Sequence, residues 1–93
     1  MANKLSDSQV RERLADLVQW SLIDGKLRRE FKFADFVRAF GFMTSAAIEA
    51  EKLNHHPEWS NVYNKVTVNL VTHSAKGITE LDFKLAKKLD ALV

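Results

Sequence analysis

The sequence predicts an α+β fold: a four-stranded antiparallel sheet with three helices packed on one face, in the order α-β-β-α-β-β-α. Three observations carry this. Asp24-Gly25 stands between two short apolar runs, and both positions tolerate the positive φ of a tight hairpin turn. Ser6 and Thr79 each precede helical apolar spacing, and Gln9 and Asp82, three residues on, can close capping boxes. Pro57 separates the longest helical pattern from the longest alternating one. Paired strands set apart by a helix argue against a parallel sheet. The helix-free face of such a sheet stays partly open, to solvent or to a partner subunit.

The elements follow in order. After Ser6, Val10, Leu14, Leu17 and Val18 fall at helical spacing. Residues 19–24 and 27–33 form the hairpin, with Leu27, Arg29, Phe31 and Phe33 alternating with charged neighbours. A helix of about five turns runs from about Ala34 to Asn54. Its core stripe is read as Phe36, Phe40, Met43, Ala47 and Ala50, widened by Val37, Ile48 and Leu53. Gly41 inside it costs roughly 1 kcal/mol relative to Ala, which predicts a close helix-to-sheet contact. Residues 58–61 read as a short strand and Val62 to His73 as one long strand. Val66, Val68, Leu70 and Thr72 share its apolar face, and Lys65, Thr67, Asn69, Val71 and His73 the other. A loop, Ser74-Ala75-Lys76-Gly77, leads to a last helix with Leu81, Leu85, Leu89 and Leu92 as its stripe.

Ninety-three residues suit a single domain spanning 1–93. A hydrophobic share of 46% with 28% charged residues excludes a disordered chain. No apolar run approaches the ~20 residues of a membrane span. The opening MANKLSDSQV lacks the apolar centre of a signal peptide, and cysteine is absent. A cytoplasmic location is therefore expected. Disulfides, zinc–thiolate sites and thiol nucleophiles are excluded. Fourteen Lys and Arg against twelve Asp and Glu give +2 with the signs interspersed. The densest cluster, Lys26, Arg28, Arg29 and Lys32, is broken by Glu30 and reads as a solvated strand face rather than a nucleic-acid footprint. Neither GxGxxG nor GxxxxGK[ST] occurs, so no phosphate cradle is expected.

The chemistry-bearing residues are His55 and His56, placed in the last turn of the long helix, and His73 at the end of the long strand. Imidazoles donate and accept protons near neutral pH, which suits paired acid and base work. Glu51, four residues before His55, is expected to share its helix face. The same side chains could instead supply a metal shell, although adjacent helical positions such as 55 and 56 diverge by about 100°. They could also be ordinary helix-end and surface histidines. Trp59 and Tyr63 could wall a pocket for a flat heterocycle. Lys84, Lys87 and Lys88 read as a solvated face, and Asp82 as a capping acid without a catalytic part.

The run Glu-Ala-Glu-Lys-Leu-Asn-His-His-Pro-Glu-Trp at 49–59 is followed by Asn-Val-Tyr-Asn-Lys-Val at 61–66 and Thr-His at 72–73. With Phe-Gly-Phe-Met at 40–43, these residues resemble the pterin-4a-carbinolamine dehydratase family over nearly the whole chain. The resemblance implies elimination of water from a 4a-hydroxy-tetrahydropterin to give a quinonoid dihydropterin, recycling the pterin of an aromatic amino acid hydroxylase. It implies no cofactor and no metal. It makes His55, His56 and His73 the catalytic set, with His55 and His73 exchanging protons and His56 orienting the pterin. Glu51 would orient His55, Trp59 would border the pocket, and Pro57, Thr72, Ser74 and Ala75 would line the substrate site. It further implies a homodimer or homotetramer. The non-enzymatic alternative is an oligomerising partner of a transcription factor. Ser60, where animal members carry an aromatic residue, and the loop at 74–77 both depart from the members that have that second role. The expectation for the structure is that three imidazoles meet around one planar guest.

Overall fold

The computed structural model describes residues 3–93. Its elements are α1 (Asp7–Leu14), β1 (Ser21–Ile23), β2 (Lys26–Lys32), α2 (Phe36–Leu53), β3 (Glu58–Val62), β4 (Lys65–Leu70), a 3-10 turn (His73–Ala75) and α3 (Glu80–Asp90). The sheet order is β1-β2-β4-β3, with every pair antiparallel. The predicted class and element order hold.

Local signals explain the element ends. Ser6 and Thr79 both complete capping boxes, with Gln9 and Asp82 respectively. Asp24 and Gly25 both take positive φ, 52° and 76°, so the first hairpin turns in two residues. Asp35 caps α2 by accepting from the backbone N–H of Arg38.

Pairing of Leu27 with Leu70 and Phe31 with Val66 places these residues on one face of the sheet. They join Val10 of α1, Phe42 of α2 and Leu85 and Leu89 of α3 in one buried cluster. Phe31 is its aromatic hub, pairing with Trp20, Phe33 and Phe42; the Phe42 centroid lies 4.5 Å from that of Phe31 and 5.1 Å from that of Phe33. Trp20 meets Phe31 edge-on at 6.0 Å and donates its indole N–H to Asp90 at 2.8 Å.

Several expectations need correction. Of the expected α2 stripe, Ala50 is buried and Met43 and Leu53 pack partly against the core, but the stripe is completed by Ala39, Phe42 and Ala46, whereas Phe36, Val37, Phe40, Ala47 and Ile48 are exposed. The helix carries two apolar stripes, and the one richer in small residues faces the core that it shares with α3 and the sheet. Gly41 lies off that stripe, and a Cβ there would meet nothing within 4 Å, so no close contact explains it. The long strand is broken: Tyr63 at φ 51° turns the chain, and Asn61 ties the turn by donating to the carbonyls of Tyr63 and Lys65. Residues 58–62 and 65–70 are therefore two strands of a hairpin, and His73 lies beyond the second in a 3-10 turn. Finally, Val18 and Leu92 are exposed, because α1 and α3 end before them. Of the basic cluster, Arg29 turns inward, stacks on Phe31 and pairs with Asp90.

Candidate active site

His55 and His56 lie after α2, not in its last turn. Asn54 caps the helix in the left-handed region, φ 48°, and His55 donates its backbone N–H to Ala50. That break in helical phase separates His55 from Glu51. The expected Glu51–His55 pairing is therefore replaced: Glu51 meets His56, Oε1 to Nε2 at 2.8 Å.

His55 is buried and points its Nε2 at Oδ1 of Asp82, 2.6 Å away. Asp82 is fully buried, and its Oδ2 accepts from the Thr72 hydroxyl at 2.8 Å and from the Thr79 backbone N–H at 2.9 Å. Thr72 spends its hydrogen on that carboxylate, so at their 2.8 Å contact the Thr79 hydroxyl donates to Thr72. Such a network satisfies every carboxylate oxygen in a place where an unmet polar group is costly. Asp82 thus caps α3 and also anchors His55, a second part that its capping position alone did not reveal. Sequence offers no signal for a pairing across 27 positions.

His73 begins the 3-10 turn and is exposed, with its Nε2 2.8 Å from Oε2 of Glu58. The other oxygen of Glu58 accepts from Lys26 at 2.5 Å. The Lys26 hydrogen bond holds the Glu58 carboxyl below the usual carboxylate range; desolvation opposes it less strongly, and the His73 hydrogen bond adds a smaller lowering of its own. Glu58 and Lys26 were not among the expected site residues.

The three imidazoles share one arrangement. Each presents Nε2 to a carboxylate: Asp82, Glu51 or Glu58. Carboxylates only accept, so in the neutral ring Nε2 carries the hydrogen and Nδ1 keeps its lone pair. Such a ring can take a proton at Nδ1 and return it, while the carboxylate steadies the imidazolium.

Two side-chain links, His55–Asp82–Thr72 and Glu58–His73, tie the 55–59 segment to residues 72 and 73. A cavity of about 510 Å³ lies on one side of this junction, walled by Ile48, Glu51, His56, Pro57 and Trp59. His55, Thr72, His73, Ser74 and Ala75 do not line it. Within the single chain these links tie His55 and His73 to the same corner, while His56, bonded to Glu51, is the one of the three that lines that cavity. Thr72 is buried, with its backbone bridged to Gly77; Ser74 is exposed and Ala75 half-buried. Tyr63 is exposed in the β3–β4 turn and does not line this cavity. Among the described residues no group of three or more His, Asp or Glu side chains is placed to hold a metal ion. Among the described residues no helix is long and apolar enough to cross a membrane.

A family model described as pterin 4 alpha carbinolamine dehydratase matches residues 3–92. A provisionally named pterin-4-alpha-carbinolamine dehydratase of Solibacter usitatus is 59% identical over 92 residues, covering 99% of this chain and 97% of that one. Another, of Brucella ovis, is 53% identical over 92 residues, covering 97% and 95%. The crystal structure of a transcriptional coactivator/pterin dehydratase from Brucella melitensis matches with a TM-score of 0.93 and 53% identity, over 97% of this chain and 98% of that chain.

Proposed function

The chain belongs to the pterin 4 alpha carbinolamine dehydratase family, and from that premise we infer that its imidazole–carboxylate pairs carry the acid–base steps of a hydro-lyase. The substrate is a 4a-hydroxy-tetrahydropterin. In the elimination the C4a–O bond breaks as the hydroxyl takes a proton and leaves as water. N5 gives up its proton, and a C4a–N5 double bond forms. No electron leaves the substrate, so the step asks only for a proton donor and a proton acceptor.

The observation that carries the reading is the shared use of Nε2 by all three rings, which leaves Nδ1 for the substrate. We assign proton exchange to His55 and His73, and binding of the pterin to His56. Pro57 and Trp59, which share a cavity with His56, supply apolar surface for a flat ring. Thr72 acts through Asp82, and Ser74 and Ala75 border the His73 side. Glu51 orients His56. We place the whole chain, 1–93, in one such unit, working in the cytoplasm beside an aromatic amino acid hydroxylase that releases the carbinolamine.

The outer stripe of α2 supports self-association as a homodimer or homotetramer. Phe36 is 49% exposed, Val37 76%, Phe40 55% and Ile48 54%, and a helix apolar on both sides is one that buries both. The same stripe favours a second reading, a partner helix of another protein, and a stable complex with a helical peptide in place of turnover would point to it.

The test of the enzymatic reading is stopped-flow dehydration of the carbinolamine, with each His→Ala change, across about pH 5 to 9. Loss of His55 or His73 should cost about 10²–10⁴-fold in rate. An unchanged rate in the His55→Ala, His73→Ala double variant would sink it.

A further inference from the structure

We propose that Glu58 and Lys26 are positioning residues for His73, forming a side-chain bridge across the open face of the sheet that determines which ring nitrogen of His73 is free. The inference rests on the acid–base reading above and extends it to the first hairpin, which carries no histidine.

The bridge spans three strands. Lys26 opens β2 and Glu58 opens β3, while His73 follows β4, which lies between them. Leu27 pairs with Leu70 on the core face, so Lys26, one residue earlier, points to the opposite face. Trp59 pairs with Val68 on the core face, so Glu58 also points away from it. The two side chains then meet over β4, Nζ to Oε1 at 2.5 Å, and Oε2 of the same carboxylate reaches Nε2 of His73 at 2.8 Å.

A carboxylate with one oxygen engaged by an ammonium group favours the rotamers that keep that contact. Its other oxygen becomes a fixed acceptor. Facing that acceptor, the neutral imidazole keeps its hydrogen on Nε2 and turns Nδ1 outward. All three groups are partly exposed, so each link alone is weak. Their joint effect is orientation. The lowered pKa of Glu58, caused first by Lys26, keeps the acceptor ionised over the range in which histidine works.

The experiment is nitrogen NMR of the His73 ring in the unliganded full chain, paired with kcat. The wild-type protein should show the Nε2–H tautomer. In Glu58→Gln, whose amide can donate as well as accept, that preference should be lost and kcat should fall about three- to tenfold. Lys26→Met should weaken the preference and lower kcat about two- to fivefold, and Lys26→Arg should restore both. Lys26→Met added to Glu58→Gln should change nothing further, because both act through one carboxylate. An unmoved tautomer in Glu58→Gln, or losses that multiply in the double variant, would overturn the proposal. A moved tautomer in a protein without dehydration activity would support the bridge and remove the acid–base reading instead.

Discussion

His55 and Asp82 share a 2.6 Å hydrogen bond inside the protein, although 27 positions separate them. The same carboxylate caps α3 through the Thr79 backbone N–H. Asp82→Asn should retain the fold, since the amide oxygen can still cap. Its amide hydrogens now face Nε2 and push the ring hydrogen to Nδ1. We expect kcat to fall by about 10²-fold or more, with KM changing less. Steady-state kinetics beside far-UV circular dichroism separates this from unfolding.

Asp82→Ala is the harsher change. It strands the Thr72 hydroxyl, the Thr79 N–H and His55 at once. A loss of roughly 2–5 kcal/mol in urea denaturation is expected, from unmet buried donors and a lost cap.

The two stripes of α2 predict opposite behaviour. Phe42→Ala removes a buried ring packed on Phe31 and Phe33 and should cost about 3–5 kcal/mol. Phe40→Ala, on the exposed stripe, should leave the folding of a single chain within about 0.5 kcal/mol and reduce the mass seen by light scattering. Equal destabilisation by both would contradict the assignment of faces.

Acid should remove one surface contribution in a predictable window. Glu80 pairs with Arg13, and that hydrogen bond holds its carboxyl below the usual carboxylate range, against a smaller desolvation effect. Because the folded-state value is the lower one, the pair contributes fully above the unfolded-state pKa, and the contribution disappears as pH falls through the folded-state value. Wild type should exceed Glu80→Gln in stability at pH 6, by less than about 1 kcal/mol for so exposed a pair. The two should converge in strong acid.

Much of this architecture was legible in the sequence because its signals are local. The Asp24-Gly25 turn and the Ser6 and Thr79 caps each act within a few residues, and each stands where expected. The errors arose where local patterns compete. Phe36 and Phe40 outweigh Ala39 and Ala46 in any count of apolar bulk, yet the smaller side chains are the ones buried in the core. The turn at Tyr63-Asn64 lies inside an apolar alternating run and lacks glycine, so it resembled uninterrupted strand. The histidines were visible as a motif. Their carboxylate partners were not, since Asp82 and Glu58 reach them only through the tertiary fold, and the one partner inferred from helical spacing, Glu51, belonged to the neighbouring ring.

Asn54 decides that last point. Its left-handed backbone angle ends α2 one residue before the paired histidines. Two identical neighbours thereby acquire different surroundings, one packed inward against a carboxylate and the other open to a cavity. Adding or removing a single residue at this corner would change which of the two rings turns inward, so the corner's length matters to the site as much as its side chains do.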